Sequence, residues 1–445
     1  MPDPQSIRMY LLSAFLSLFF VVPMSAQSYT LEEAVAYGLE NRNELQNAEF
    51  DTYIAEQQVR EILSSGYPQL NGQVTAQWNY QIQQFPFPNP ATGETELLEL
   101  GTGTSLGIGA SLNQLVFDGT FFIGLKAAKA FVDVSKTKRA STAEQLRYNI
   151  TSAYYQSLIA ERQISLLETN LDRLKTLYDE TSALYKEGFV EKLDVERLQV
   201  NYNNLLLDLK NLERRVQLSK NLLKFQMGLP VNSELELATQ IDELGDQPSL
   251  EDSEDNFTYS NRLDYSLVRQ QIDLEEFNTR RFRAGYLPSL YLFGNYNWNQ
   301  IGGRNAPENK SFRNFTVGAL GLQLNMPIFD GFRKSSQIQQ SKLTIQKLDN
   351  QKLRLESAID LELENTRSEL LNTYATLGAL KKNSELAQKV YDVSRIKYKE
   401  GVGSSLEVND ASTQLKTAQT NYLNGLLQYY VAKIGYDKAR GRFTE

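Results

Sequence analysis

Histidine and cysteine are both absent from the 445 residues. The chain therefore has no thiol nucleophile, no imidazole acid or base, and almost none of the usual zinc ligands. It also lacks disulfides and any cysteine that could carry an N-terminal lipid. Methionine is scarce at five residues, so there is no Met- or His-rich track for soft metals. No cofactor is implied. There is no basic block either: 46 Lys and Arg against 54 Asp and Glu give a net charge of −8, which argues against a nucleic-acid partner. Long apolar runs are nearly absent as well. The one that stands out, Met9 to Val22, has about 14 residues, within the range of a signal-peptide core and short of the ~20 needed to span a bilayer. Arg8 precedes it and Ser25-Ala26 follows, so residues 1–26 read as a secretory signal peptide, with a retained anchor as the other reading.

What the chain does have is heptads. From Leu146 the positions Ile150, Ala153, Ser157, Ala160, Ile164, Leu167, Leu171, Leu174, Tyr178, Thr181 and Tyr185 alternate steps of four and three. A 3.5-residue repeat holds one helix face against its neighbours. The stretch from Gly119 to Gly188 contains no proline and would extend roughly 100 Å at 1.5 Å per residue. The same register returns 213 positions later, from Ile359 through Leu370, Leu377 and Tyr391 to Tyr398. Both stretches end alike, in Leu184-Tyr185-Lys186-Glu187-Gly188 and Lys397-Tyr398-Lys399-Glu400-Gly401. The chain reads as two copies of one large unit.

In order, the first repeat covers residues 27–230. It has helices within 30–65, strands at 68–82 and 104–117, a long helix at 119–188 and a shorter one at 193–228. An acidic stretch, 231–258, links it to the second repeat, 259–445, with a helix at 262–284, strands at 288–300 and 314–329, a long helix at 331–400 and a last helix at 405–440. Between the first two strands, Pro86, Pro88 and Pro90 mark a loop. In the first strand Leu70, Gly72, Val74, Ala76, Trp78 and Tyr80 alternate with Gln, Asn and Thr. A soluble sheet usually puts charges on its wet face. An uncharged amide face instead suits the lumen of a membrane barrel. Trp78 and Trp298, the chain's two tryptophans, lie ten residues after Pro68 and Pro288, which suits an interface belt at the bilayer edge.

Four strands cannot close a barrel, and an open sheet edge is not tolerated in lipid. Two chains give eight strands, a barrel filled by its own side chains. Three give twelve and leave a bore. The expectation is an α+β membrane protein: a trimeric 12-stranded β-barrel, four strands per chain, continued by a long antiparallel α-helical coiled-coil barrel, with an internal two-fold repeat. A trimeric coiled-coil adhesin or other cell-surface structural protein is the alternative. It accounts for the heptads but not for the paired strands. An enzyme is disfavoured, because the paired carboxylates Glu407 and Asp410 sit by a coiled-coil tip without an evident pocket.

These features together resemble the TolC family of outer-membrane efflux proteins. They are the duplicated strand–strand–long helix–helix unit, the Phe117-Asp118-Gly119 and Phe329-Asp330-Gly331 entrances, and the glycine-bearing tips. After the second tip comes Glu407-Val408-Asn409-Asp410-Ala411. The resemblance implies an outer-membrane location in a Gram-negative bacterium, with a helical tunnel extending into the periplasm. It implies a homotrimer in outer-membrane lipid. It also implies a periplasmic adaptor (membrane fusion) protein and an inner-membrane pump of RND or ABC type as partners, in a tripartite efflux or type I secretion system. Residues 231–258 would form an equatorial belt around the tunnel.

The resemblance also assigns residues. Glu407 and Asp410, three apart and so on one helix face, match the carboxylates that line the family's periplasmic gate. Three copies of each would focus a negative field that favours cations. Glu407 is equally placed to complete a helix cap begun by Ser404, and Asp410 to complement the helix dipole. Asp194 and Arg197 hold the equivalent positions in the first repeat and are gate candidates too. The tips, Gly188 with Val190 and Gly401 with Gly403, are where an adaptor would dock. There glycine permits the positive φ of a tight turn. One departure stands out: no basic residue follows Gly401, so the arginine lock of some members is missing, and Lys399, Lys192 and Arg197 are the substitutes at hand.

Overall fold

The computed structural model describes residues 27–88, 90, 93–99, 101–239, 257–302 and 312–443. The signal-peptide reading of 1–26 lies outside these residues, as does most of the expected linker. The elements are β1 (Gln27–Tyr29), α1 (Leu31–Asn41), α2 (Asn43–Ser64), β2 (Gln69–Trp78), β3 (Gln84–Pro88), β4 (Thr95–Glu99), β5 (Thr104–Phe117), α3 (Gly119–Lys186), α4 (Lys192–Met227), β6 (Leu235–Leu237), a 3₁₀ turn (Tyr259–Asn261), α5 (Leu263–Ala284), β7 (Ser289–Gly302), β8 (Phe312–Asn325), α6 (Arg333–Lys399) and α7 (Ser405–Ala439). Among the described residues no helix is long and apolar enough to cross a membrane. The chain divides into two compact units.

One unit, residues 46–142 and 257–361, contains the main sheet. Its four antiparallel strands run in the order β2-β5-β7-β8, so β2 and β8 each pair on one side only among the described residues. Alternation along each strand sorts the rows onto two faces. One face carries rows such as Leu70–Leu112–Gly294–Leu320 and Val74–Ile108–Trp298–Thr316. The other carries Asn71–Ser111–Asn295–Ala319 and Gln73–Gly109–Asn297–Val317. The amide, hydroxyl and glycine character of that second face runs through β2, β5 and β7 and through Gly321, Gln323 and Asn325 of β8, while the other end of β8 supplies Val317, Phe315 and Arg313. Gly109 makes room for a side chain of the neighbouring strand: a Cβ there would lie 1.9 Å from the Asn297 Oδ1 that crosses over it.

Several sequence boundaries are corrected here. The helices expected within 30–65 are Leu31–Asn41 and Asn43–Ser64, separated at Arg42, whose backbone is extended. The strand expected to reach residue 82 ends at Trp78, and the proline loop after it is a hairpin, β3 against β4. The strand expected at 288–300 runs on to Gly302, because its partner Phe312 continues the ladder. The strand expected at 314–329 runs from Phe312 to Asn325, since Pro327 cannot donate to a ladder. The long helix expected from 331 starts at Arg333, because Gly331 and Phe332 both have positive φ, +65° and +64°. The first Phe-Asp-Gly entrance differs: Asp118 there caps the helix directly, accepting from the Thr120 and Phe121 amides at 2.7 and 3.4 Å. At the second, the Asp330 carboxylate accepts from the Lys334 amide at 3.2 Å and pairs with its ammonium at 3.3 Å.

The other unit comprises the described residues within 27–45, 143–239 and 362–443. It is built on the heptad seams. In α3, Leu146, Ile150, Ala153, Ser157, Leu167, Leu174 and Thr181 are buried, and Tyr185 alone of the predicted seam is exposed. In α6 the matching positions Leu370, Leu377, Tyr391 and Tyr398 are buried. The capping box at Thr30 starts α1, with Thr30 and Glu33 exchanging backbone-to-side-chain bonds of 2.9 and 3.2 Å. That helix packs its Gly38 against Ile150, where a Cβ would come within 2.3 Å. β1 pairs in parallel with β6, a contact that three-residue strands give no periodicity to reveal. The buried Tyr154 hydroxyl ties the pair down, donating to the Tyr29 carbonyl at 2.9 Å and meeting Thr239 Oγ1 at 3.0 Å. Nearby, Tyr155 stacks on Tyr430 with ring centroids 4.6 Å apart.

Candidate functional site at the two helix turns

The two turns, α3 to α4 and α6 to α7, share one backbone solution. Gly188 and Gly401 adopt φ of +80° and +74°. In each, the residue after the glycine donates back five positions, Phe189 to the Leu184 carbonyl at 2.9 Å and Val402 to the Lys397 carbonyl at 3.0 Å. This is the Schellman closure of a helix C-terminus. Gly403 plays a different part from the one its residue type implied. It has no positive φ, and a Cβ there would come within 3.0 Å of Lys397 Cβ and 3.1 Å of the Tyr398 amide nitrogen. Glycine at 403 answers a steric need, which the first turn does not share, since Val190 holds the matching place.

The helices leaving the turns start differently. Ser404 caps α7, its hydroxyl accepting from the Glu407 amide at 3.2 Å. Glu191 precedes α4 without a side-chain cap. Asp194 is half-buried, and its carboxylate accepts from the buried Ser405 hydroxyl at 3.1 Å. Glu407, Asp410 and Arg197 are exposed. No described residue donates to either exposed carboxylate. The structure thus brings one of the four gate candidates, Asp194, into contact with the opposite hairpin and leaves the other three facing outward. Two of the three substitutes for the missing arginine are engaged elsewhere: Lys192 pairs with Glu196 at 2.8 Å and Lys399 lies 3.9 Å from Glu180.

The contact at Asp194 begins a ladder that residue types alone did not reveal. Three residues of α4 spaced by seven meet α7: Asp194 with Ser405 at 3.1 Å, Asn201 with Asn409 at 2.8 Å, and Asp208 with Lys416 at 3.3 Å. From α3, Asn170 and Gln163 add bonds to Gln419 and Asn424 at 3.4 and 2.8 Å. A polar cavity of about 190 Å³ lies among α3, α4 and α7, lined by Asn170, Asn201, Asn204 and Asn409. Thr181 and Tyr398, both seam positions, join their hydroxyls at 2.8 Å out of contact with water. Arg173 lies over the Tyr391 ring at 5.4 Å. An amide at 201 reads as an ordinary exposed helix residue until its partner, more than 200 positions away, is known.

Trp78 and Trp298 belong to the sheet, not to these turns. Trp78 closes β2 opposite Thr104, and Trp298 lies opposite Ile108. They are offset by four positions along β5, about 13 Å at strand rise. Equal spacing from Pro68 and Pro288 thus does not put them in one row.

Comparison with known proteins follows the same lines. The family model for "Outer membrane efflux protein" matches residues 37–229 and 259–442. The outer membrane protein TolC of Vibrio cholerae is 22% identical over 345 residues, 76% of this chain and 77% of that protein. Nodulation protein T of Rhizobium leguminosarum is 24% identical over 326 residues, 72% of this chain and 68% of that protein. Among solved structures, the open state of the MtrE outer membrane channel of Neisseria gonorrhoeae superposes with a TM-score of 0.73 at 18% identity, covering 93% of this chain and 90% of that one. CusC, whose structures describe transmembrane channel formation, gives 0.73 at 17%, covering 92% and 91%. The fold is that of these outer-membrane channels.

Proposed function

Because this chain belongs to the outer membrane efflux protein family, we propose that it is the exit duct of a tripartite efflux or type I secretion system. It is a TolC-type protein of the Gram-negative outer membrane, reaching into the periplasm, and its family consists of channels rather than enzymes. In our reading it conducts substrates passively and is gated at the periplasmic turns.

The observation that carries the reading is the sheet. It has one apolar face, one face rich in amides, and two edges, β2 and β8, that are unpaired among the described residues. Unpaired backbone is not tolerated in hydrocarbon. The strands alternate in direction, so β8 of one copy can pair antiparallel with β2 of the next, and three copies give a closed twelve-stranded barrel. Matched lengths support duplication of an ancestral unit: α3 and α6 have 68 and 67 residues, α4 and α7 have 36 and 35. Trp78 and Trp298, on the apolar face, face lipid. The pairing of β1 with β6 supports a belt formed by the start of the chain and the segment after α4.

At the turns, Glu407 and Asp410 line the mouth, while Asp194, through Ser405, holds the two hairpins together there. Arg197 completes the charged set. A periplasmic adaptor docks at Gly188, Val190, Gly401 and Gly403 and links the duct to an inner-membrane pump of RND or ABC type. Planar-bilayer recording from the purified protein tests this. Discrete cation-preferring conductance steps, from material that runs as a heat-sensitive trimer band, are expected. A water-soluble single subunit without conductance contradicts it.

A further inference from the structure

The ladder between α4 and α7 skips a level. Asn201 bonds directly to Asn409 at 2.8 Å, and Asp208 pairs with Lys416 at 3.3 Å. Between these rungs no direct bond joins Asn204 to Ser412 among the described residues, although both line the polar cavity of about 190 Å³ at that level. Residues of both rungs contribute to the same wall. Burial is graded across it. Asn170 of α3 is 1% exposed at one end, while the Asp208 and Lys416 side chains at the other are 57 and 32% exposed.

The key residue is Asn170. Its Nδ2 donates to the Leu166 carbonyl at 2.9 Å and to Gln419 Oε1 at 3.4 Å. Turning the amide over would set its oxygen against that carbonyl, so the network fixes which atom lies where. Its Oδ1 is buried and meets no donor among the described residues. A buried amide oxygen without a hydrogen bond is costly, and in native proteins such groups meet a protein donor, an ordered water or an ion. Charge decides between the last two. The one carboxylate lining the cavity, Asp208, is already paired with the Lys416 ammonium, which lines it too. A cation would therefore find no uncompensated negative charge, and an anion would meet the Oδ1 lone pairs. Water both donates and accepts, which suits a wall of amides and hydroxyls. The volume admits several waters at roughly 30 Å³ each.

We infer that this cavity is a binding site for ordered water, with Asn170 Oδ1 as its innermost anchor and Asn204 and Ser412 among its outer partners. Water supplies the rung that Asn204 and Ser412 do not make directly. The joint of α3 and α4 with α7 is thus wet at this level, while Leu198, Val408 and Leu415, each at most 2% exposed, keep the seam itself dry. A bridging water is nearly as favourable in enthalpy as a direct hydrogen bond, so hydration here holds the helices together. The site is built from one chain's own helices and does not depend on the duct reading.

Two leucines make the site testable. Leu174 and Leu205 line the cavity and are each 6% exposed, whereas Leu209, on the same seam but off the cavity, is 8% exposed. X-ray radiolysis of the full-length, detergent-solubilised protein makes hydroxyl radicals wherever water sits, and bound water oxidises the side chains beside it. Mass spectrometry is expected to show Leu174 and Leu205 oxidised several-fold faster than Leu209, the reverse of the order that exposure alone would give. Oxidation of both at or below the rate of Leu209 overturns the site, and this comparison needs no variant to fold. Asn170→Leu, which removes the anchor, is expected to bring Leu174 down to the rate of Leu209. A folded N170L protein with Leu174 oxidation unchanged overturns the role of Asn170. A structure of the purified protein sharp enough to show water is expected to place one within hydrogen-bond distance of Asn170 Oδ1. A protein side chain or a coordinated cation at that point instead overturns the inference.

Discussion

The two turns have nearly the same backbone and different side-chain chemistry. Both close on a glycine at positive φ with a bond five residues back. The first then enters α4 uncapped, with its acidic residue, Asp194, held by Ser405. The second enters α7 through a serine cap, with Glu407 and Asp410 left to solvent. Positions 213 residues apart thus differ: Asp194 is tied to the opposite hairpin, while Glu407 and Asp410 are exposed.

The largest effect that sharpens this contrast is on ion selectivity. Glu407→Gln with Asp410→Asn is expected to reduce cation preference in bilayer recordings by about tenfold, and Asp194→Ala to change it less than about twofold. Equal effects would break the asymmetry. Next comes packing. Gly403→Val is expected to destabilise by about 1–3 kcal/mol through overpacking against Lys397, seen as a drop in the thermal midpoint of the detergent-solubilised protein. The reciprocal Val190→Gly is expected to cost less than about 1 kcal/mol. Smaller again is the cap: Ser404→Ala is expected to cost about 1 kcal/mol, while Glu191→Ala, with no cap to lose, is expected to leave the midpoint unchanged.

A contrast with the turns comes from the tyrosine cluster. Burial pushes Tyr155 and Tyr429 up to about 12, reinforced by the neighbouring Tyr430 hydroxyl. Their folded pKa values exceed the ordinary value of about 10. Their stabilisation is thus complete below pH ~10 and is lost as pH rises through about 12. Circular dichroism is expected to show a loss of helix in that window, shifted upward by Tyr155→Phe with Tyr429→Phe.

How much of this was legible in the sequence depends on range. The α3 and α6 seams were, because a heptad repeat sustained over dozens of residues specifies a face locally. The alternation in β2 and β7 was legible for the same reason, although strand ends shifted where Trp78 stopped pairing and Pro327 broke the ladder. The ladder from Asp194 to Ser405, Asn201 to Asn409 and Asp208 to Lys416 was not. Each partner is more than 200 residues away, and nothing local marks which polar helix face will meet another. Gly401 and Gly403 look alike in sequence, yet one is required by φ and the other by the nearness of Lys397.

Native mass spectrometry of the detergent-extracted protein tests most directly whether this sheet must be shared. Release of an assembly of three chains, with no folded single chain among its products, is the predicted result. A stable, folded single chain whose β2 and β8 amides resist hydrogen exchange would contradict the account.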